Sequence, residues 1–229
     1  MSILGDNTVV MLAGASGLVG TEVLKLVLEE EPITHVYALT RHELPFFHSK
    51  LEQIKDTELR VLEWDDTKPV PDVGLICLGT TLKQAGSKDK LEQVDYQLVC
   101  DVAQSMKVLG VKKLAVVSSI GASPYSLSHY LKCKGKMEET IRKMGFQKLV
   151  FARPGPLSGL RDEPRKNEMV VEYLLKLFTP FMVGPLAKYI PIKATNVAKA
   201  MLFELFDQST NVHKTLNSAE MKSLVSRYQ

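Results

Sequence analysis

Tyr130 and Lys134 are the residues of this chain whose types and spacing best suit proton transfer. Four positions apart on a helix, they share one face. A phenol titrates near pH ~10 and is a poor acid–base group at neutrality. An ammonium ~4 Å away, at an effective dielectric of ~20, interacts with a phenolate by about 4 kcal/mol. That is worth roughly three pKa units, enough to bring a phenol to neutral pH. The same ammonium can hydrogen-bond a ribose. Tyr125 has no such partner, since His129 stands four residues after it. Ser118 and Ser119 end the apolar run Val116-Val117 that precedes Tyr130. A serine hydroxyl there can polarise a carbonyl while the tyrosine moves the proton. Adjacent strand residues face opposite sides, so one of the two serines faces the site, and the sequence does not choose between them.

A second constellation is Gly14-Ala15-Ser16-Gly17-Leu18-Val19-Gly20, between a predicted strand and a predicted helix. Its GxxGxxG spacing is one residue longer than the GxGxxG dinucleotide fingerprint, and the physical needs are the same. Gly14 permits the tight turn. Gly17 lets backbone approach a pyrophosphate, and Gly20 lets the helix pack close to the strand. The helix start offers free N–H groups and a partial positive charge. Gly14, Ser16, Gly17, Leu18 and Gly20 are therefore candidate cofactor contacts. The second strand ends Ala38-Leu39-Thr40-Arg41, with no acid before Glu43. A carboxylate there would hold a ribose 2′-hydroxyl; Arg41 instead suits a 2′-phosphate through forked hydrogen bonds. NADP is thus favoured over NAD. Asp65, after the expected third strand, is a candidate for the adenine amino group.

These residues need elements to position them. Thr8–Leu12 is a β-branched apolar run and reads as a strand buried on both faces. Val19, Val23 and Val27, with Leu24 and Leu28, give Gly17–Glu30 helical spacing, which Pro32 ends. Further strands are expected at His35–Leu39, Glu58–Leu62, Val73–Leu78, Lys113–Ser118 and Lys148–Ala152. Helices are expected at Asp89–Leu109 and Ser126–Met144. Strand–helix alternation of this kind builds right-handed βαβ units around a parallel sheet. Ligands of such sheets bind at the carboxyl ends of the strands, where Gly14, Gly79, Ser119 and Gly155 begin loops. The expected fold class is α/β, a doubly wound parallel sheet forming one domain over residues 1–229. Prolines 156, 164, 180, 185 and 191 interrupt the pattern afterwards, with helices expected at Glu168–Phe178 and Asn196–Phe206. Residues 156–195 are expected to form a small C-terminal lid over the substrate.

The 229 residues carry a net charge of +3, with 45% hydrophobic and 24% charged residues. That balance points to a globular chain and argues against a nucleic-acid partner. No apolar run approaches the ~20 residues of a membrane span. Met1–Asp6 has no basic region of a secretory signal. Cys77, Cys100 and Cys133 form no CxxC pair, so free thiols and a cytoplasmic location are expected. Cys133 reads as an ordinary helix thiol. His35, His42, His48, His129 and His213 show no metal-ligand spacing, and no metal is expected.

In combination, Gly14-x-x-Gly17-x-x-Gly20, the serine pair and Tyr130-x-x-x-Lys134 resemble the atypical branch of the short-chain dehydrogenase/reductase superfamily. Within it the chain is similar to the Tat-interacting-protein-like oxidoreductases. The matching stretches are Cys77-Leu78-Gly79-Thr80-Thr81, Val94-Asp95-Tyr96, Ser118-Ser119-x-Gly121-Ala122, Tyr130-Leu131-x-x-Lys134-Gly135 and Arg153-Pro154-Gly155. The resemblance implies a Rossmann-type fold, NADP binding and a serine, Tyr130 and Lys134 as the catalytic set. It also implies that Leu78, Gly79 and Thr80 line the ribose and phosphate side of the cofactor, with Pro154-Gly155 near the nicotinamide. The expected function is an NADP(H)-dependent oxidoreductase acting on a small carbonyl or hydroxyl compound. The alternatives are an NADPH-sensing regulator with a protein partner, and a nucleotide-sugar epimerase-like enzyme. The last is disfavoured because 229 residues leave little room for a nucleotide-sugar lobe.

Overall fold

Six successive buried residues, Thr8–Ala13, form strand β1 in the interior of the sheet. The computed structural model describes residues 7–61, 63–158, 190–207 and 212–227. After β1 come α1 (Leu18–Glu29), β2 (Ile33–Thr40), β3 (Leu51–Lys55), β4 (Val73–Ile76), α2 (Leu82–Ala85) and α3 (Lys88–Glu92). A π-helical turn, Gln93–Leu98, runs into α4 (Val99–Leu109). Then follow β5 (Lys113–Val117), α5 (His129–Arg142), β6 (Lys148–Arg153), β7 (Leu157–Ser158) and β8 (Ile192–Lys193). The chain ends with α6 (Ala194–Phe206), β9 (His213–Asn217) and α7 (Ser218–Arg227).

Seven strands make one parallel sheet in the order β3-β2-β1-β4-β5-β6-β9. The order reverses beside β1, so the loops after β1 and β4 open a crevice at the carboxyl edge. Side chains alternate across each strand, and β1 divides accordingly. Val10 and Leu12 pack with α1 and α6, through Val23, Val27, Val197 and Met201. Val9, Met11 and Ala13 pack with α4 and α5, through Val102, Met106, Met137 and Ile141. The sheet is covered on both faces, as a doubly wound Rossmann-type fold requires.

Several expected boundaries shift. The third strand is Leu51–Lys55, not Glu58–Leu62. It is a half-buried edge strand and lacks the apolar run that marks an inner one. Around 57–60 the chain turns instead: Asp56 Oδ1 accepts from the N–H groups of Glu58 (2.9 Å) and Arg60 (2.8 Å), and Leu59 is left-handed at φ 56°. The long helix expected over 89–109 is divided by the π-helical turn. β9 was not anticipated, because His-Lys-Thr-Leu-Asn has no apolar run; it pairs with β6 at the other sheet edge. The expected lid falls largely on residues 159–189, including the helix expected at Glu168–Phe178, and these lie outside the described residues. Its flanks are joined, since β7 and β8 pair at Leu157↔Ile192 and Ser158↔Lys193.

Candidate functional site at the carboxyl edge of the sheet

The three glycines of the first turn are not equivalent. Gly14 has φ +89°, and a Cβ there would lie 2.8 Å from the Cys77 carbonyl carbon and oxygen. A Cβ on Gly20 would lie 1.9 Å from Gly14 O. Both glycines are demanded by the fold itself. Gly17 is different: its φ is −81°, and a Cβ would make ordinary contacts of 3.4 Å to Gly14 O and 3.7 Å to Cys77 O. Gly17 is also the N-cap of α1, with no side-chain cap and no acid in the first helical turn. The first N–H groups of the helix are left open toward the crevice. Ser16 is exposed and Leu18 half-buried at the same place. This turn fits a dinucleotide pyrophosphate.

Arg41 follows β2, is exposed, and has no ion-pair partner among the described residues. Asp65 sits in an exposed loop and is engaged locally. Its carboxylate accepts from Thr67 N (3.0 Å) and Thr67 Oγ1 (2.6 Å), which hold it below the ordinary carboxylate range. The structure therefore gives Asp65 a turn-forming role.

On α5, Lys134 is 2% exposed, and its Nζ stands 2.8 Å from Oδ1 of the fully buried Asp95. The same ammonium donates to Val117 O at 3.4 Å. Asp95 Oδ2 accepts from Thr80 N at 3.0 Å. Gly79 completes the group: a Cβ there would be 3.3 Å from Asp95 Oδ1 and 3.6 Å from Lys134 Nζ. Leu78, half-buried, precedes it. The loop after β4, the end of β5 and α5 thus converge on one buried ion pair. Tyr130 lies one turn before Lys134, half-buried, and makes no side-chain hydrogen bond among the described residues. Asp95 was missed as a site residue. Its signal was present, because it shares the apolar helical stripe of Leu91, Val99 and Val102, and it sits in the π-helical turn. Such turns recur at functional sites.

Hydrogen bonds separate the two serines. Ser118 is buried and its Oγ donates to Glu138 Oε1 at 2.6 Å. Glu138 is itself fully buried, gripped by Arg153 through Nε (2.8 Å) and Nη2 (2.6 Å), and by Arg142 Nη2 (2.8 Å). Ser119 is half-buried, and its Oγ has only a 3.4 Å contact to Ile120 O. The β6 loop joins here, with Ile120 N donating to Pro154 O (3.0 Å) and Gly155 N donating to Ser218 Oγ (2.8 Å).

Residues 45–179, more than half of the chain, match the model of a family described as HIM1. The chain belongs to the HIM1 family. This HIM1-family chain is 32% identical over 219 residues to "Protein FMP52, mitochondrial" of Eremothecium gossypii, covering 94% of the chain and 96% of that protein. The protein of the same name from Saccharomyces cerevisiae is 33% identical over 165 residues, covering 69% of each. Among solved structures, UDP-glucuronic acid 4-epimerase from Bacillus cereus with UDP-glucuronic acid and NAD has a TM-score of 0.67 at 15% identity, over 92% of this chain and 77% of that one. MoeE5 with UDP-glucose and NAD has a TM-score of 0.64 at 14% identity, over 98% and 82%. At such identities the likeness shows the fold, the Rossmann type inferred from the sequence.

Two expectations for the HIM1-family chain change. The family shown is HIM1 with its FMP52 relatives, not the Tat-interacting-protein-like group in particular. The cytoplasmic expectation is overturned, because the relatives are named as mitochondrial proteins. The three thiols are free, but free thiols separate reducing from oxidising compartments, not one reducing compartment from another. Burial pushes the Cys77 and Cys100 thiols up to about 12, so neither is a ready nucleophile. No helix among the described residues is long and apolar enough to cross a membrane.

Proposed function

We propose that this chain binds a nicotinamide dinucleotide across the carboxyl edge of its sheet, with NADP preferred. It acts as an oxidoreductase of the short-chain dehydrogenase type on a small carbonyl or hydroxyl compound. The observation that carries this reading is the buried Lys134–Asp95 pair, flanked by the exposed Gly79 and one helical turn from Tyr130. An ion pair so buried is expensive to form unless each partner is held in place, and a ribose hydroxyl is a partner that an ammonium there can serve.

The residues divide the work. The open N–H groups of α1 receive the pyrophosphate, with Gly14, Ser16, Gly17, Leu18 and Gly20 forming the cradle. Arg41 pairs with the 2′-phosphate. Leu78, Gly79 and Thr80 line the ribose side, and Pro154-Gly155 the nicotinamide side. The bound dinucleotide supplies or accepts the hydride. Tyr130 gives its proton to the developing alkoxide, or takes it in the reverse direction. Ser119, the serine not committed to a buried carboxylate, donates a hydrogen bond to the oxyanion. With Asp95 at 2.8 Å, the field of the Lys134 ammonium is largely cancelled outside the pair. Lys134 therefore acts as a donor held in one place, not as the free charge that the Tyr-x-x-x-Lys spacing suggests. Asp95 is its positioning residue.

The motifs shared with the Tat-interacting-protein-like oxidoreductases support a kinship of mechanism with that group. The names of the FMP52 relatives support a mitochondrial location. Titration calorimetry with NADPH and NADH, followed by a screen of small aldehydes, ketones and quinones for NADPH oxidation, tests the proposal. Tight NADPH binding with turnover is expected. Binding without any turnover would favour the NADPH-sensing regulator, and no binding would contradict both.

A further inference from the structure

At the N-terminal end of α5, two side chains and a backbone carbonyl crowd one ring nitrogen. His129 and Cys133 stand four residues apart on α5, and Glu92 ends α3. His129 Nε2 is 3.6 Å from Cys133 Sγ, 3.7 Å from Glu92 Oε2 and 3.2 Å from Lys88 O. The three side-chain ligand atoms all lie within 4.8 Å of one another. A ring nitrogen, a thiol sulfur and a carboxylate oxygen gathered this closely are the donor types of a borderline-soft cation.

We propose that Cys133, His129, Glu92 and the carbonyl of Lys88 form a zinc site that clamps α3 to the first turn of α5. A tetrahedral zinc ion with Zn–S ~2.3 Å and Zn–N and Zn–O ~2.0 Å has S···N edges of about 3.5 Å and N···O edges of about 3.3 Å. The observed S···N separation is 3.6 Å, and the N···O separations of 3.2 and 3.7 Å lie on either side of the ideal. A thiolate with an imidazole and a carboxylate selects a borderline-soft ion over magnesium or calcium, which take oxygen ligands. Binding sends the thiol proton to solvent, and the thiolate and carboxylate together balance the charge of the dication. Lys136 Nζ holds the other Glu92 oxygen, Oε1, at 3.1 Å, which turns Oε2 toward the cluster. Cys133 is buried while His129 and Glu92 are half-buried, so the ion has a route in from water.

The clamp answers a local need. Ser128, the N-cap of α5, makes no side-chain capping bond, and the next two residues are His129 and Tyr130. Zinc on His129 and Cys133 would fix the turn that carries Tyr130 and Lys134. The inference is independent of dinucleotide binding.

Equilibrium dialysis of the full chain against zinc, followed by mass-spectrometric metal analysis, should find one zinc per chain. Cobalt in its place should show a thiolate-to-cobalt charge-transfer band. Cys133→Ser and His129→Ala should each abolish that band, while Cys100→Ser should keep it. Glu92→Gln, which removes a charged ligand, should weaken zinc binding at least ~10-fold. His129→Ala alters a half-buried position at a helix end, so it reports even where Cys133→Ser does not fold. Substoichiometric zinc at saturation, or a band that survives in His129→Ala, would overturn the proposal.

Discussion

Asp95 Oδ1 stands 2.8 Å from Lys134 Nζ, and both side chains are shut off from solvent. Removing one partner strands the other charge in the core, at a cost of about 3–5 kcal/mol. Asp95→Ala should therefore lower stability by that amount in urea denaturation. Adding Lys134→Met to the same chain should recover part of the loss, because no charge is then left unpaired. Additive losses would mean that the two groups do not act as a pair.

The glycine turn makes opposite predictions for neighbouring positions. Gly20→Ala puts a methyl 1.9 Å from Gly14 O, so α1 must move, and a loss of at least about 1–3 kcal/mol is expected. Gly17→Val meets only ordinary contacts and should fold, as circular dichroism would show. Its branched side chain would occupy the proposed pyrophosphate path, so calorimetry should find dinucleotide binding lost. Retained affinity in folded Gly17→Val would leave the turn a purely structural one.

Arg41 is the residue proposed to set the choice of cofactor. Losing one charge-assisted contact costs about 1.5–3 kcal/mol, which is roughly a 10–100-fold change in affinity. Arg41→Ala should weaken NADPH by that factor and leave NADH unchanged. An equal effect on both would remove the 2′-phosphate role.

The serines should part company under substitution. Ser118→Ala takes a donor from the buried Glu138 and should cost about 1.5–3 kcal/mol of stability, with the rate per folded molecule kept. Ser119→Ala touches no such network and should fold normally while turnover falls. Reversed outcomes would assign the oxyanion contact to Ser118.

The centre of the fold was legible because its residues are buried on both sides. Thr8–Ala13 is an unbroken apolar run, and Gly14 and Gly20 stand where only glycine fits. The edges were not legible. Leu51–Lys55 and His213–Asn217 are half-buried strands whose partners, β2 and β6, supply what their own sequences lack. The candidate site could be read as residue types but not as contacts. That Ser118 serves Glu138, and that Asp95 meets Lys134, depends on elements brought together from distant parts of the chain. Spacing along one helix cannot show a counter-ion from another, and so it overstated Lys134 as a free charge.

The oxidoreductase reading is tested most directly by comparing Tyr130→Phe with the unmodified chain, in calorimetry with NADPH and in NADPH oxidation with a carbonyl substrate from the screen. Phenylalanine keeps the ring and removes the proton donor. NADPH affinity should be unchanged and turnover should fall about 10²–10⁴-fold. Undiminished turnover in Tyr130→Phe would contradict the mechanism.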